Sequence, residues 1–170
     1  FSGWDSRERG PTFAIVRDVD RDGIQDFAVC LNGTCTLVSG RERTMLPWRP
    51  EGWGRDSYAY SVCSASDIDG DGCSDIVIGD ARRRGALDPR GMVAAYSGAD
   101  GHMFWSTHGR AGFGFDVRVS LGVEGDGHSD VIASVFSSAR SSLVLIRAKD
   151  GVQLREAKWN AADYPDIGWR

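Results

Sequence analysis

Short apolar stretches separated by clusters of Gly, Asp, Asn and Ser recur along this chain, and none carries the 3.6-residue period of an amphipathic helix. Three of them, Phe27 to Leu31, Ile76 to Ile78 and Val131 to Val135, are apolar nearly throughout, which predicts strands buried on both faces. Each follows a β-rich, partly alternating run: Thr12 to Val16, Tyr58 to Ser64 and Phe115 to Ser120. A third strand is predicted at Thr36 to Val38, Met92 to Tyr96 and Leu143 to Ile146. Turn residues close it at Ser39-Gly40, Ser97 to Gly101 and Lys149-Asp150-Gly151. A fourth strand then leads to Trp48, Trp105 or Trp159, 57 and 54 residues apart, so these tryptophans read as repeat-equivalent. Packing between neighbouring units is their expected role, with a sugar-stacking platform as the alternative. The pattern predicts an all-β protein made of three four-stranded antiparallel units.

Between the first and second strands stands an acidic loop. The second copy, Asp67-Ile68-Asp69-Gly70-Asp71-Gly72-Cys73-Ser74-Asp75, repeats the first, Asp18-Val19-Asp20-Arg21-Asp22-Gly23-Ile24-Gln25-Asp26. A third, eroded copy runs from Gly122 to Asp130 and keeps Glu124, Asp126, His128 and Asp130. The first positions, 18, 67 and 122, are 49 and 55 residues apart, a spacing typical of propellers and solenoids. Carboxylates so close together repel one another, and a hard cation that takes several oxygen ligands resolves the conflict. Calcium fits better than magnesium, which keeps more of its water. The expected ligands are Asp18, Asp20, Asp22 and Asp26 with the carbonyl of Ile24, and Asp67, Asp69, Asp71 and Asp75 with that of Cys73. With Gly122 in place of the first acid, the third loop is expected to bind weakly or not at all. An EF-hand would need Glu at position 12 and flanking helices, but Val29 and Ile78 stand there, inside apolar runs.

This D-x-D-x-D-G-x-x-D loop, followed at once by a buried strand, resembles the FG-GAP repeat of integrin-α-like β-propellers. The resemblance covers nearly the whole chain. It implies blades at about residues 3–51, 52–111 and 112–167, opened by Gly3-Trp4, Gly52-Trp53 and Gly112-Phe113-Gly114-Phe115. Gly168-Trp169-Arg170 then looks like the opening of a further blade. Three four-stranded blades do not close a ring, since propellers typically need four to eight. The resemblance therefore implies an incomplete propeller, completed by the rest of a longer polypeptide or by a second copy. It also implies a recognition, adhesion or assembly scaffold, with a protein or glycan ligand.

Composition narrows the remaining classes. With 41% hydrophobic and 26% charged residues the chain is globular rather than disordered. A net charge of −4, before any neutralisation by cations, gives no footprint for nucleic acid. No apolar run approaches the roughly 18 residues of a membrane span, and no stretch of signal-peptide form is expected within these residues. The chain starts at Phe1, not Met, which is expected of a processed, truncated or excised segment. His102, His108 and His128 lie in no catalytic motif, and no nucleophile elbow, P-loop or dinucleotide fingerprint occurs, so no enzyme activity is expected of these residues. A non-catalytic propeller portion of a secreted enzyme, for example a polysaccharide-degrading one, is the alternative reading.

In Cys30-Leu31-Asn32-Gly33-Thr34-Cys35 the Asn-Gly turn pairs Leu31 with Thr34 and hence Cys30 with Cys35, at a distance a disulfide can span. Cys63 and Cys73 flank the second loop, but the expected register does not set them opposite each other. Four free or buried thiols is the other reading. A disulfide beside calcium loops suits an extracellular, cell-surface or periplasmic setting. Two further features remain: Asn32-Gly33-Thr34 has the form of a glycosylation acceptor, and Arg82-Arg83-Arg84 reads as a solvated loop or a contact for an acidic partner.

Overall fold

The computed structural model of the chain describes residues 10–31, 34–53, 57–81, 90–123, 125, 129–136 and 140–160. Gly3-Trp4, Asn32-Gly33, Arg82-Arg83-Arg84, Glu124, Asp126, His128 and Gly168-Trp169-Arg170 lie outside these residues. Three antiparallel sheets follow one another along the chain. The first has the order β1 (Thr12–Val16), β2 (Asp26–Leu31), β3 (Thr34–Val38). The second comprises β4 (Ser61–Ser64), β5 (Ile76–Asp80), β6 (Gly91–Tyr96) and β7 (Met103–Gly109), again in chain order. The third comprises β8 (Phe113–Leu121), β9 (Ser129–Val135), β10 (Arg140–Arg147) and β11 (Gln153–Asn160). Every neighbouring pair is antiparallel, as short connections require.

The first sheet corrects the four-strand expectation. After β3 the chain makes one isolated bridge, Val38 to Met45, and Leu46 donates its N–H to the Leu37 carbonyl at 2.9 Å, but no ladder continues. Pro47 and Pro50 flank Trp48 and have no N–H to give, so the segment cannot extend as a strand.

The second sheet is the core of the molecule. Ile76 to Ile78 of β5 are buried, as their apolar run predicts, and Gly79 and Asp80 are buried with them. Ile76, Ile78, Ala94 and Tyr96 face the first sheet, where they meet Val16, Ala28, Cys30, Cys35 and Leu37. On the other face, Val77, Val93 and Ala95 meet Val117, Val131, Ala133 and Ile146 of the third sheet. Each fully buried aliphatic side chain contributes about 1.5–3 kcal/mol, so these two interfaces carry most of the hydrophobic stabilisation.

The expected burial of the second strand on both faces fails for β2. Phe27 and Leu31 are 39% and 46% exposed, and their neighbours Phe13 and Ile15 on β1 reach 69% and 56%. By register Phe13 and Phe27 correspond to Val62 and Ile76, which in the second sheet are 3% and 0% exposed. The positions are the same, but no described sheet covers this face.

A tryptophan bonds each sheet to the next. The Trp48 indole donates to the Ser97 carbonyl at 2.9 Å, and that of Trp105 to the Ala148 carbonyl at 2.7 Å. Trp159 is not their equivalent, contrary to its spacing. Tyr96 pairs with Ile76 and Ile146 with Val131, which makes Ala95 and Leu145 equivalent; their partners are Trp105 and Arg155. Trp159 instead pairs with Ser141, where Gly109 stands opposite Gly91 in the second sheet.

The first hairpin has the expected register. Leu31 pairs with Thr34, and Cys30 with Cys35 at a Cα separation of 4.1 Å, where a disulfide joins them. Cys63 pairs with Val77, and neither it nor Cys73 is bridged. Burial pushes the Cys63 thiol up to about 12. Replacing Cys30 and Cys35 together by Ala is expected to cost about 2 kcal/mol, the value for so short a covalent loop, measured as the shift in urea unfolding free energy.

Candidate metal loops

The loops between β1 and β2 and between β4 and β5 have the same backbone construction. The fourth position is left-handed in each copy: Arg21 at φ 62°, Gly70 at 84° and Gly125 at 75°. Arg21 therefore occupies a conformation that side chains seldom adopt, and alignment with Gly70 was the available signal for it. The sixth position repeats the device, with Gly23 at φ 90° and Gly72 at 89°.

These turns fold the loop onto its first acid. Asp18 accepts the N–H groups of Asp22 at 2.9 Å and Gly23 at 2.7 Å; Asp67 accepts those of Gly70 at 2.6 Å and Gly72 at 2.9 Å. Asp22 and Asp71 in turn take the amides of Ile24 and Cys73 at 2.8 and 2.7 Å. As a result, carboxylate oxygens of Asp18, Asp20 and Asp22 all lie within 4.8 Å of one another, and those of Asp67, Asp69 and Asp71 do likewise. An all-oxygen, carboxylate-rich donor set fits a hard divalent cation. Partial desolvation pushes the Asp67 carboxyl upward, but the N–H groups of Gly72, Gly70 and Asp71 outweigh it and hold Asp67 below the ordinary carboxylate range.

The fourth acid of each motif is placed differently from the other three. Asp26 and Asp75 are fully buried. Asp26 accepts Val19 N–H at 2.7 Å on one oxygen and Gly40 N–H at 2.9 Å on the other. Asp75 accepts Ile68 N–H at 2.5 Å and Gly98 N–H at 3.1 Å. Each therefore ties the start of its own loop to the turn that leaves the third strand. A Cβ on Gly98 would lie 1.9 Å from the Ser74 carbonyl oxygen, so only glycine allows this approach.

Two arginines were not legible as site residues. Arg41 bonds the Asp22 carbonyl through Nη2 at 2.6 Å, and its Nε lies 3.2 Å from the Asp22 carboxylate. Arg21 reaches across to the Cys73 thiol of the second loop, whose proton affinity is raised by burial and the Asp71 charge and lowered by Arg21. In the third copy Gly122 is itself left-handed, at φ 64°, so that loop departs in backbone as well as in its missing acid. Of its remaining acids Asp130 is fully buried.

No family model matches the chain. Over 83 residues it is 31% identical to integrin alpha-4 of Xenopus laevis, covering 41% of this chain and 8% of that protein. The solved structure of the Dos1 propeller aligns with a TM-score of 0.55 at 12% identity, over 85% of this chain and 37% of that one. The sheets are arranged as in a β-propeller. The chain thus spans well under half of the propeller it matches and a small part of the integrin. The sheets are blade-like in this sense, and the tryptophan bonds are contacts between them. Among the described residues no helix is long and apolar enough to cross a membrane.

Burial pushes Asp75 up to about 6, partly offset by the Ile68 and Gly98 N–H groups and reinforced by the charges of Asp69 and Asp71. A carboxyl raised in the folded state binds its proton more tightly there than when unfolded. Its contribution to stability is complete below about pH 4 and is lost as the pH rises through about 6. In chelator, the urea midpoint is expected to fall over that window, and Asp75→Asn to flatten that part of the profile.

Proposed function

We propose that this chain is a calcium-stabilised segment of an extracellular β-propeller of the FG-GAP, integrin-α-like kind, serving as a recognition, adhesion or assembly scaffold. The observation that carries the reading is the convergence of three carboxylates in two loops with matching backbone turns. The cation sits among Asp18, Asp20 and Asp22 with the Ile24 carbonyl, and among Asp67, Asp69 and Asp71 with the Cys73 carbonyl, while Asp26 and Asp75, expected from the sequence as ligands, brace the loops from behind through backbone amides. The third loop contributes weakly or not at all. The Cys30–Cys35 disulfide and calcium sites of this type both suit an oxidising, calcium-rich exterior. The residues serve as a scaffold without catalysis of their own, and a protein or glycan is the ligand class.

Further blades, from a longer polypeptide or a second copy, cover the outer faces. Phe13, Ile15, Phe27 and Leu31 form a bare apolar face of the kind soluble monomers seldom keep.

Calorimetric titration is expected to find two calcium ions per chain, with Asp20→Ala and Asp69→Ala each removing one. Chelation should lower the melting temperature, because a ligand bound only by the folded state stabilises it. No calcium uptake at millimolar concentration would end this reading. Light scattering is expected to show concentration-dependent association of the isolated chain, reduced by the double change Phe13→Lys, Ile15→Lys. A chain that is monodisperse and monomeric at all concentrations would mean that this face needs no cover.

A further inference from the structure

The two acidic loops are alike in sequence but differ in what lies behind them. In both, the buried fourth acid takes the N–H of a glycine in the turn after the third strand, Gly40 for Asp26 and Gly98 for Asp75. That N–H belongs to the same peptide group as the carbonyl of the preceding serine. At the second loop this carbonyl, of Ser97, accepts the Gly101 N–H at 3.0 Å and, in addition, the Trp48 indole from the neighbouring sheet at 2.9 Å. At the first loop the Ser39 carbonyl accepts the Arg43 N–H and, among the described residues, no indole.

One peptide unit thus joins the second loop to the first blade: Trp48 N–H to Ser97 C=O, then Gly98 N–H to Asp75, whose other oxygen holds Ile68 at the start of the loop. Hydrogen bonds in series through a peptide group polarise one another, so each is strengthened by the next. The unit cannot drift, since Gly98 lies against the Ser74 carbonyl. Trp48 is 3% exposed and Asp75 is fully buried, so water does not compete for these bonds.

The geometry points to Trp48 and Asp75 as positioning residues that couple cation binding at Asp67, Asp69 and Asp71 to the docking of the first blade on the second, through the Ser97–Gly98 peptide. The inference rests on the cation reading of the loops. The coupling is reciprocal: if docking raises cation affinity, the cation strengthens docking by the same factor. The first loop, with the same Asp-to-glycine bond and, among the described residues, no indole behind it, is the internal control.

The test is calcium titration of the full chain with one loop disabled at a time. With the first loop removed by Asp20→Ala, adding Trp48→Phe is expected to weaken calcium binding at the second loop about fivefold, the order of one lost hydrogen bond in such a series. With the second loop removed by Asp69→Ala, the same change should leave the first loop's affinity as it was. In the parent chain, calcium should shift the indole N–H resonance of Trp48, assigned by its loss in Trp48→Phe, and Asp75→Asn should abolish that shift. Unchanged affinity at the second loop would overturn the coupling, and so would an equal fall at both loops, which marks general loosening of the fold. Absence of calcium binding in the parent chain would instead remove the cation reading on which the coupling stands.

Discussion

The structure depends on a carboxylate buried where β2 and β5 begin. Asp26 and Asp75 enter the core as the first residues after the acidic loops, and an ionisable group there is tolerated only if its oxygens are bonded. Each is bonded on both oxygens by backbone amides, one from its own loop and one from a turn farther along the same blade. These bonds fix the loop against the turn, and the turn of the second blade in turn receives the tryptophan of the first. Removing one such carboxylate would leave buried amides without acceptors, a larger cost than the bond itself.

The blade interfaces add to this polar frame. The second blade is apolar on both faces, and it brings Ile76 and Val77, adjacent in sequence, to opposite neighbours. The alternation of a strand converts one run of β-branched residues into two interfaces. The first sheet shows what happens where no described sheet lies alongside: the same positions carry Phe13 and Phe27, and they are open to solvent. Likewise the third sheet has Arg155 where the second has Trp105, so the two are built differently at that position.

The loops sit at the corner where these features meet. Their acids divide into three that converge near the surface and one that is turned inward, and the division follows from position. The acids at the first, third and fifth places ride on the turn, whereas the ninth opens the second strand of its sheet or directly precedes it. Arg41 against Asp22 distinguishes the first loop electrostatically from the second, where Ala99 and Asp100 follow the glycine of the corresponding turn.

Much of this was determined by the sequence alone. Unbroken apolar runs gave the inner strands, Asn-Gly fixed the register that sets Cys30 beside Cys35, and the repeated D-x-D-x-D-G spacing located both loops, because all three are local effects of backbone geometry and side-chain chemistry. What needed the tertiary structure depended on distant neighbours. Trp159 matches Trp105 in spacing, yet register gives the position to Arg155; Phe27 lies in an apolar run, yet it is exposed because burial requires a covering sheet. The inward turn of Asp26 and Asp75, the Arg41 contact and the tryptophan bonds to Ser97 and Ala148 likewise join residues far apart in the chain. Their pairing is decided by how whole sheets pack, which no local pattern encodes.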